Sequence, residues 1–305
     1  MSDAVRQALT PGQRRSVGLI TAGALALYLG VRLLPAGSNL NHMDFRVDEK
    51  GAIEFCDPAN PQFIPVVAVK SPVAVTLRAE SPPTVQRPAR FTLTLATASG
   101  KPIGPADLVV AHTKKLHLLV IDPTLNDYQH VHPEPGRKAG EWVFELTPAR
   151  PGDYLVFADF TPAATGRGLY ASAGFSVPGS VARVTRQTNW DHSAGPYRFT
   201  LSPLLPLAAG KPNELTLAVS RPDGQPVPLS PVMGAFAHLV MFDEERSGFA
   251  HLHPDQVDLA RPPDAAKPEL TFKVTVPRAG RFVVWSQLLV EGRELFVPFW
   301  VDVLP

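Results

Sequence analysis

The sequence has little that would support a disulfide, a nucleic-acid interface or a known type of active site. Its 305 residues include one cysteine, Cys56, so an intramolecular disulfide is excluded. Cys56 is interpreted as a buried small side chain, with a soft metal ligand or an intermolecular thiol as alternatives. The net charge is only +1 and no long basic run follows the N-terminus. Nucleic acid is therefore not an expected partner.

Nucleophile-elbow, P-loop and dinucleotide-binding motifs are also missing from the sequence. Cu,Zn superoxide dismutase places an H-x-H pair on a β-sandwich, as this sequence does, but the further histidines and the disulfide of that family are absent. The cupin arrangement of H-x-H, a glutamate and a distant histidine is not met either. We therefore do not expect an enzyme.

An apolar stretch over residues 17–31 follows several arginines near the N-terminus. Continued to Leu34 as a helix, it would be about 27 Å long at about 1.5 Å per residue, enough to span a hydrocarbon core. The basic flank predicts a cytoplasmic N-terminus, so that the rest faces the periplasm or the cell exterior and membrane lipid is one partner. A cleaved signal peptide is the alternative, although no small-x-small cleavage site follows.

An internal repeat covers most of the remaining chain. The stretch TLRAESPPTVQRPARFTLTLATASGKPI from Thr76 aligns without a gap with TLSPLLPLAAGKPNELTLAVSRPDGQPV from Thr200. HLLVIDPTLNDYQHVHPE from His117 aligns in the same way with HLVMFDEERSGFAHLHPD from His238, and FELTPARPGDYLVF aligns with FKVTVPRAGRFVVW. Three matching blocks in one order indicate a duplication.

The repeated blocks have the pattern of sandwich strands and turns. FTLTLAT and LTLAVS alternate with period two, ASGKP and PDGQP are turn signals, and the 33 prolines disfavour helices. The predicted fold is all-β, with two tandem immunoglobulin-like β-sandwich domains after one N-terminal transmembrane helix. The expected segments are an anchor or signal (1–36), a Pro-rich approach segment (37–69) whose FIPVVAV adds to the first domain, domain one (70–178), a linker (179–193) and domain two (194–304).

Six of the nine histidines lie in the repeat with the same spacing, H-x12-H-x-H-P followed by an acid. They are His117, His130 and His132 in domain one, and His238, His251 and His253 in domain two. Residues i and i+2 of a strand share a face, and a hairpin in the right register brings the first histidine to the same face. Three neutral imidazoles so placed suit zinc or copper, with a fourth position for another ligand. Structural, hydrogen-bonded histidines are the alternative.

Neighbouring residues extend this hypothesis. His112 and Asp159 are further candidate metal ligands in domain one, and the alignment puts Met233 and Gln287 at the matching positions of domain two. Met233 suits copper or fills the core, and Gln287 is a poor ligand. The acid after each H-x-H-P, Glu134 or Asp255, is a candidate acceptor for a second ring N–H.

HTKKLHLLVIDPTLNDYQHVHPE, followed by PGDYLVFADFTP, resembles the YtkA-like group of bacterial extracytoplasmic proteins, and MGAFAHLVMFDEERSGFAHLHPD resembles the second half often joined to it. The resemblance covers both repeats. It implies a small Ig-like sandwich and an association with metal-handling or respiratory-oxidase proteins, so a membrane metalloprotein or respiratory complex is a candidate partner.

Two functions follow as hypotheses. The first is a membrane-anchored extracytoplasmic protein that binds copper or zinc as a carrier, buffer or assembly factor. The second is a non-catalytic interaction module of a membrane complex, in which the histidines are structural or sense pH.

Overall fold

The computed structural model describes residues 10–33, 45–47, 53–55, 61–68, 71–182, 184 and 187–305. The chain divides into two compact units, Met1–Leu40 and Asn41–Pro305. Cys56 and most of the approach segment before residue 61 lie outside the described residues.

The first unit contains one helix, α1 (Pro11–Leu33). Its start is fixed by a capping box, in which Gln13 N donates to Thr10 Oγ1 and Thr10 N donates to Gln13 Oε1. Pro11 occupies the first helical position, where no backbone donor is needed. The predicted helix is confirmed, but among the described residues there is no helix whose length and hydropathy suffice for a membrane crossing. Residues 1–9 and 34–36 of the predicted anchor lie outside the described residues.

The second unit is built from antiparallel strands. The strands are β1 (Phe45–Val47), β2 (Ile53–Phe55), β3 (Val73–Ala79), β4 (Ala89–Thr97), β5 (Leu116–Ile121), β6 (Tyr128–Val131), β7 (Glu134–Pro135), β8 (Glu141–Leu146), β9 (Gly152–Phe160), β10 (Leu169–Val177), β11 (Asp191–Ala194), β12 (Tyr197–Pro203), β13 (Pro212–Ser220), β14 (Leu229–Ser230), β15 (Ala237–Asp243), β16 (Ala250–Leu252), β17 (Glu269–Thr275), β18 (Gly280–Val290) and β19 (Arg293–Val303). A short 3-10 helix covers Pro105–Asp107.

The strands form two sandwich-like domains with the same topology. Domain one has the sheets β3-β4-β8-β7 and β10-β9-β5-β6, and domain two has β11-β12-β13-β17 and β19-β18-β15-β16, with β14 also paired to β18. The two domains correspond strand by strand. In the first sheet, β3-β4-β8 of domain one matches β12-β13-β17 of domain two. In the second sheet, β10-β9-β5-β6 matches β19-β18-β15-β16. The predicted all-β fold and the duplication are therefore confirmed. The finer immunoglobulin-like assignment stays a prediction.

Strands β5 and β15 are buried along their whole length. Leu118 and Val120 point into the core of domain one, whereas Leu119 and Ile121 join a different apolar cluster. In β15, Val240 and Phe242 belong to that same second cluster. The cluster contains residues of both domains, so β5 and β15 are covered on one face by their own sandwich and on the other by the neighbouring domain.

This interdomain core is rich in aromatic side chains from both domains. Its fully or nearly buried members are Val66, Leu119, Ile121, Leu125, Tyr128, Phe157, Val240, Phe242, Phe249, Val283, Trp285 and Trp300. Trp285 Nε1 donates to the Leu125 carbonyl across the interface at 3.2 Å. The two domains thus bury one continuous apolar surface.

The segment FIPVVAV pairs with domain two, so the expectation that it adds to the first domain was wrong. Phe63 N donates to Thr275 O, Ile64 N donates to Phe249 O, and the Phe63 ring lies in the domain-two core. Gly248 allows this close approach, because a Cβ there would collide with the Ile64 carbonyl. Residues 61–68 form isolated bridges at Gln62 and Ile64 rather than the predicted strand.

Truncation of neighbouring leucines tests the interdomain core. Leu119→Ala should lower the free energy of unfolding by about 2–5 kcal/mol, because Leu119 is fully buried between the domains. Leu118→Ala, a matched control in the core of domain one, should have a similar cost. Chemical denaturation of both variants measures this. A cost below about 0.5 kcal/mol for Leu119→Ala alone, as for a surface position, would contradict the interface.

Candidate metal centre

The register of each hairpin brings the three histidines of a domain to one face. Leu119 lies opposite His130 and Leu118 opposite Val131 in the pairing of β5 with β6, so His117 lies opposite His132 one residue beyond the second pair. The pairing of β15 with β16 has the same register. The hairpin register therefore places the first histidine on the same face as the other two, as predicted. This face is the one that meets the other domain.

In each domain, three ring nitrogens converge. His117 Nδ1 lies 3.2 Å from His130 Nε2 and 3.1 Å from His132 Nε2. His238 Nδ1 lies 3.1 Å from His251 Nε2 and 3.0 Å from His253 Nε2. All three ligand atoms of each triad lie within 4.8 Å of one another. Imidazole nitrogens about 2.0–2.1 Å from a tetrahedral ion are about 3.3–3.4 Å apart, so each triad could hold a metal ion.

A tight turn fixes the tautomer of the first histidine. His117 Nε2 lies 3.0 Å from the Ala111 carbonyl, and because a carbonyl only accepts, the proton belongs on Nε2 and the lone pair on Nδ1. Ala111 and Lys114 close a two-residue turn whose central residues, His112 and Thr113, have φ of +48° and +69°. Positive φ at both positions is the type I′ geometry.

The corresponding turn in domain two acts in the same way. His238 Nε2 lies 3.0 Å from the Val232 carbonyl, and Met233 and Gly234 have φ of +49° and +80°. Both repeats therefore aim the Nδ1 lone pair of the first histidine into the triad.

The tautomer of His130 is fixed from the other domain. Its Nδ1 lies 2.8 Å from Gln287 Oε1, while Gln287 Nε2 donates to Glu294. With the amide so oriented, His130 Nδ1 carries the proton and Nε2 carries a lone pair, which faces the lone pair of His117 Nδ1. Two lone pairs 3.2 Å apart repel each other, so a cation between them removes the conflict.

Asp159 was expected to be a metal ligand in domain one, but its carboxylate contacts domain two instead. Its Oδ2 lies 3.2 Å from His251 Nδ1. On its own sheet it pairs with His117 in the neighbouring strand. Burial raises the pKa of Asp159, against the opposing effect of His117 and His112.

The predicted acceptors Glu134 and Asp255 were wrong. Glu134 is exposed in β7, and Asp255 forms an ion pair with Lys273 at 2.8 Å. His130 and His251 are the middle histidines of the two triads. Their Nδ1 atoms instead face Gln287 and Asp159, each from the opposite domain. The role of Gln287 and Asp159 in orienting these rings was missed because the sequence does not indicate which surface covers the histidine face.

His112 lies nearer to domain two than to its own triad. Its ring centroid is 3.8 Å from that of His253 and 6.1 Å from that of His117. Met233 occupies the matching turn of domain two and is half-buried. The ligand roles of both residues stay predictions.

Burial keeps the histidines of both triads neutral, because it penalises the charged ring. It lowers the pKa of His238 to about 4 and that of His132 to about 3, the latter also through electrostatic effects of His117 and Lys114. The pKa of His117, His130, His251 and His253 is lowered as well, and burial is the main cause in each. Neutral imidazole is the form that binds a metal.

A cleft of about 390 Å³ opens onto the histidines. Its lining includes His112, His117, Asp159, His251 and His253. The cleft borders both triads, the domain-one triad at His117 and the domain-two triad at His251 and His253.

The chain belongs to the family described as "Domain of unknown function (DUF8832)", whose model matches twice, over residues 68–175 and 191–304. The two matches confirm the tandem organisation and cover more than two thirds of the chain. The predicted resemblance to the YtkA-like group is not what this match names, and it stays a prediction. A comparison with curated proteins gives no match.

Two solved structures are similar over part of their length. One is red sea bream transglutaminase, with 10% identity and a TM-score of 0.26 over 77% of this chain and 32% of that chain. The other is Escherichia coli alpha-2-macroglobulin activated by porcine elastase, with 13% identity and a TM-score of 0.24 over 77% of this chain and 22% of that chain. The chain spans less than two thirds of the length of either protein, and neither likeness carries an argument about function.

Acid should destabilise the metal-free protein. Unfolded histidines take up protons near pH 6.5, whereas folded His238 and His132 do so only near pH 4 and 3. Below pH 6.5 the unfolded state thus binds more protons, and the free energy of unfolding should fall by about 1 kcal/mol or more per pH unit between pH 6.5 and 5. Denaturant unfolding in the presence of a chelator measures it.

The control is His132→Gln, which removes one of these titrating rings and should reduce the pH dependence. A free energy of unfolding that stays constant between pH 6.5 and 5 would contradict the neutral, buried state of the triads.

Proposed function

We propose that this protein binds copper or zinc ions through the triads His117–His130–His132 and His238–His251–His253, and acts as a metal carrier, buffer or assembly factor. The observation that carries the proposal is the convergence of ring nitrogens 3.0–3.2 Å apart in both domains. In domain one, hydrogen bonds at the far side of His117 and His130 leave two lone pairs facing each other.

Three imidazole nitrogens suit both Zn²⁺ and Cu²⁺, and they leave at least one coordination position for another ligand. An open position allows an incoming ligand from a partner to bind before the protein releases its ion. This property favours a carrier or an assembly factor over a purely structural site. We propose no catalytic reaction for the centre.

We further propose that the domains lie on the outer side of a membrane, in the periplasm or at the cell exterior, held by the N-terminal segment. The apolar stretch at residues 17–31 and its basic N-terminal flank support this proposal. A membrane metalloprotein or a respiratory complex is the proposed recipient of the metal. Fluorescence microscopy and membrane fractionation of the full chain test the location.

Metal analysis tests the binding function. The full chain without a polyhistidine tag should bind two divalent ions, His117→Ala should remove the domain-one ion, and His238→Ala should remove the domain-two ion. His192→Ala, which changes a histidine outside both triads, is the matched control and should keep both ions. Equilibrium dialysis with Zn²⁺ or Cu²⁺ followed by elemental analysis gives the stoichiometry. Equal metal content in all four proteins would contradict the proposal.

The alternative is an interaction module with structural histidines. It predicts that Zn²⁺ and Cu²⁺ leave the melting temperature unchanged, whereas specific binding to the folded state raises it. The buried position of the histidines is compatible with both functions. The facing lone pairs of His117 and His130 favour the metal.

A further inference from the structure

The two triads are adjacent across the interface between the domains. The ring centroid of His251 lies 5.3 Å from that of His130 and 5.8 Å from that of His117, and the His130 and His238 centroids are 6.0 Å apart. Together with the His112 ring, whose centroid lies 3.8 Å from that of His253, the rings form one cluster. If each triad holds an ion, as proposed above, the two ions share a binuclear centre.

Each triad depends on the other domain for the orientation of its middle ring. His130 of domain one faces Gln287 of domain two, and His251 of domain two faces Asp159 of domain one. Asp159 and Gln287 occupy the same position of the repeat, because each pairs with the first histidine of its own domain, His117 or His238. The exchange of partners is therefore symmetric in geometry.

The exchange is not symmetric in charge. A carboxylate that accepts the N–H of a metal-bound imidazole makes the ring a stronger donor and balances part of the charge of the ion, whereas a neutral amide only orients the ring. Asp159 provides this carboxylate to the domain-two triad, and Gln287 provides the amide to the domain-one triad.

A second divalent ion enters beside the first and is repelled by it. With two divalent ions, the cluster of rings must accommodate four positive charges. Asp159 is the carboxylate that contacts a ring of the cluster directly. Repulsion of this kind lowers the affinity of whichever site fills second.

The geometry points to a binuclear centre that fills in order: the domain-two triad binds first and tightly, and the domain-one triad binds second and more weakly. Asp159 and Gln287 set this order as positioning residues. Such a centre retains one ion while it exchanges the other, and it would buffer metal over two concentration ranges.

The test is a chelator-competition titration of the full, tag-free chain with Zn²⁺ in single-site backgrounds. In His117→Ala, where the domain-two triad remains, Asp159→Asn should weaken Zn²⁺ binding by about 10- to 100-fold. In His238→Ala, where the domain-one triad remains, Gln287→Glu should strengthen binding by about 10-fold or more. The matched control is Asp153→Asn, on the same strand as Asp159, where the carboxylate accepts from Ser176 outside the cluster; it should leave the affinity unchanged.

The unsubstituted chain should show two binding steps, and combining Asp159→Asn with Gln287→Glu should reverse their assignment. If the Asp159→Asn variant fails to fold, the Gln287→Glu variant still tests the inference. Two sites of equal affinity, or an Asp159→Asn variant that behaves like Asp153→Asn, would overturn the filling order and leave the proposed function standing. Absence of any Zn²⁺ or Cu²⁺ binding would overturn both.

Discussion

The burial of β5 and β15 on both faces is the constraint on which the rest of the structure depends. Alternate residues of each strand face its own sandwich, and the residues between them face the other domain. This second face carries Leu119 and Ile121 together with His117 in β5. The apolar contact between the domains thus determines which side chains surround the histidines, and it buries the hydrogen bond between His130 and Gln287.

A polar group buried at such an interface is costly unless it is hydrogen-bonded, and the outer nitrogens of the first and middle histidines have directed partners. The turn carbonyls of Ala111 and Val232 accept from the first histidine of each triad, and side chains of the opposite domain meet the middle one. These partners leave the inner nitrogens of His117 and His130 without a proton to share. A metal ion bound between these nitrogens would resolve this arrangement. Water-exposed histidines would resolve it by rotation or by protonation.

Much of the fold and the identity of the triads could be predicted from the sequence. Ungapped repeats require equal strand and loop lengths, so the duplication predicts two domains with the same topology, and period two predicts that His130 and His132 share a face. The spacing also restricts the hairpin register. These features depend on contacts between residues that are near in the sequence or repeated in it.

The remaining features depend on contacts that sequence patterns do not encode. Period two shows that residues share a face but not what covers that face, so Asp159 was expected in the domain-one triad although it meets His251. Gln287 was considered a poor ligand, which overlooked its role as a hydrogen-bond acceptor for His130. For the same reason, FIPVVAV was expected on the first domain rather than along domain two.

The most direct test of the central claim is anomalous diffraction from crystals of the zinc-loaded chain, with data collected on both sides of the zinc absorption edge. The account predicts two anomalous peaks between the packed faces of the domains, one bounded by His117, His130 and His132 and the other by His238, His251 and His253. Peaks confined to the outer surface, or domains separated so that the two triads no longer lie side by side, would contradict it.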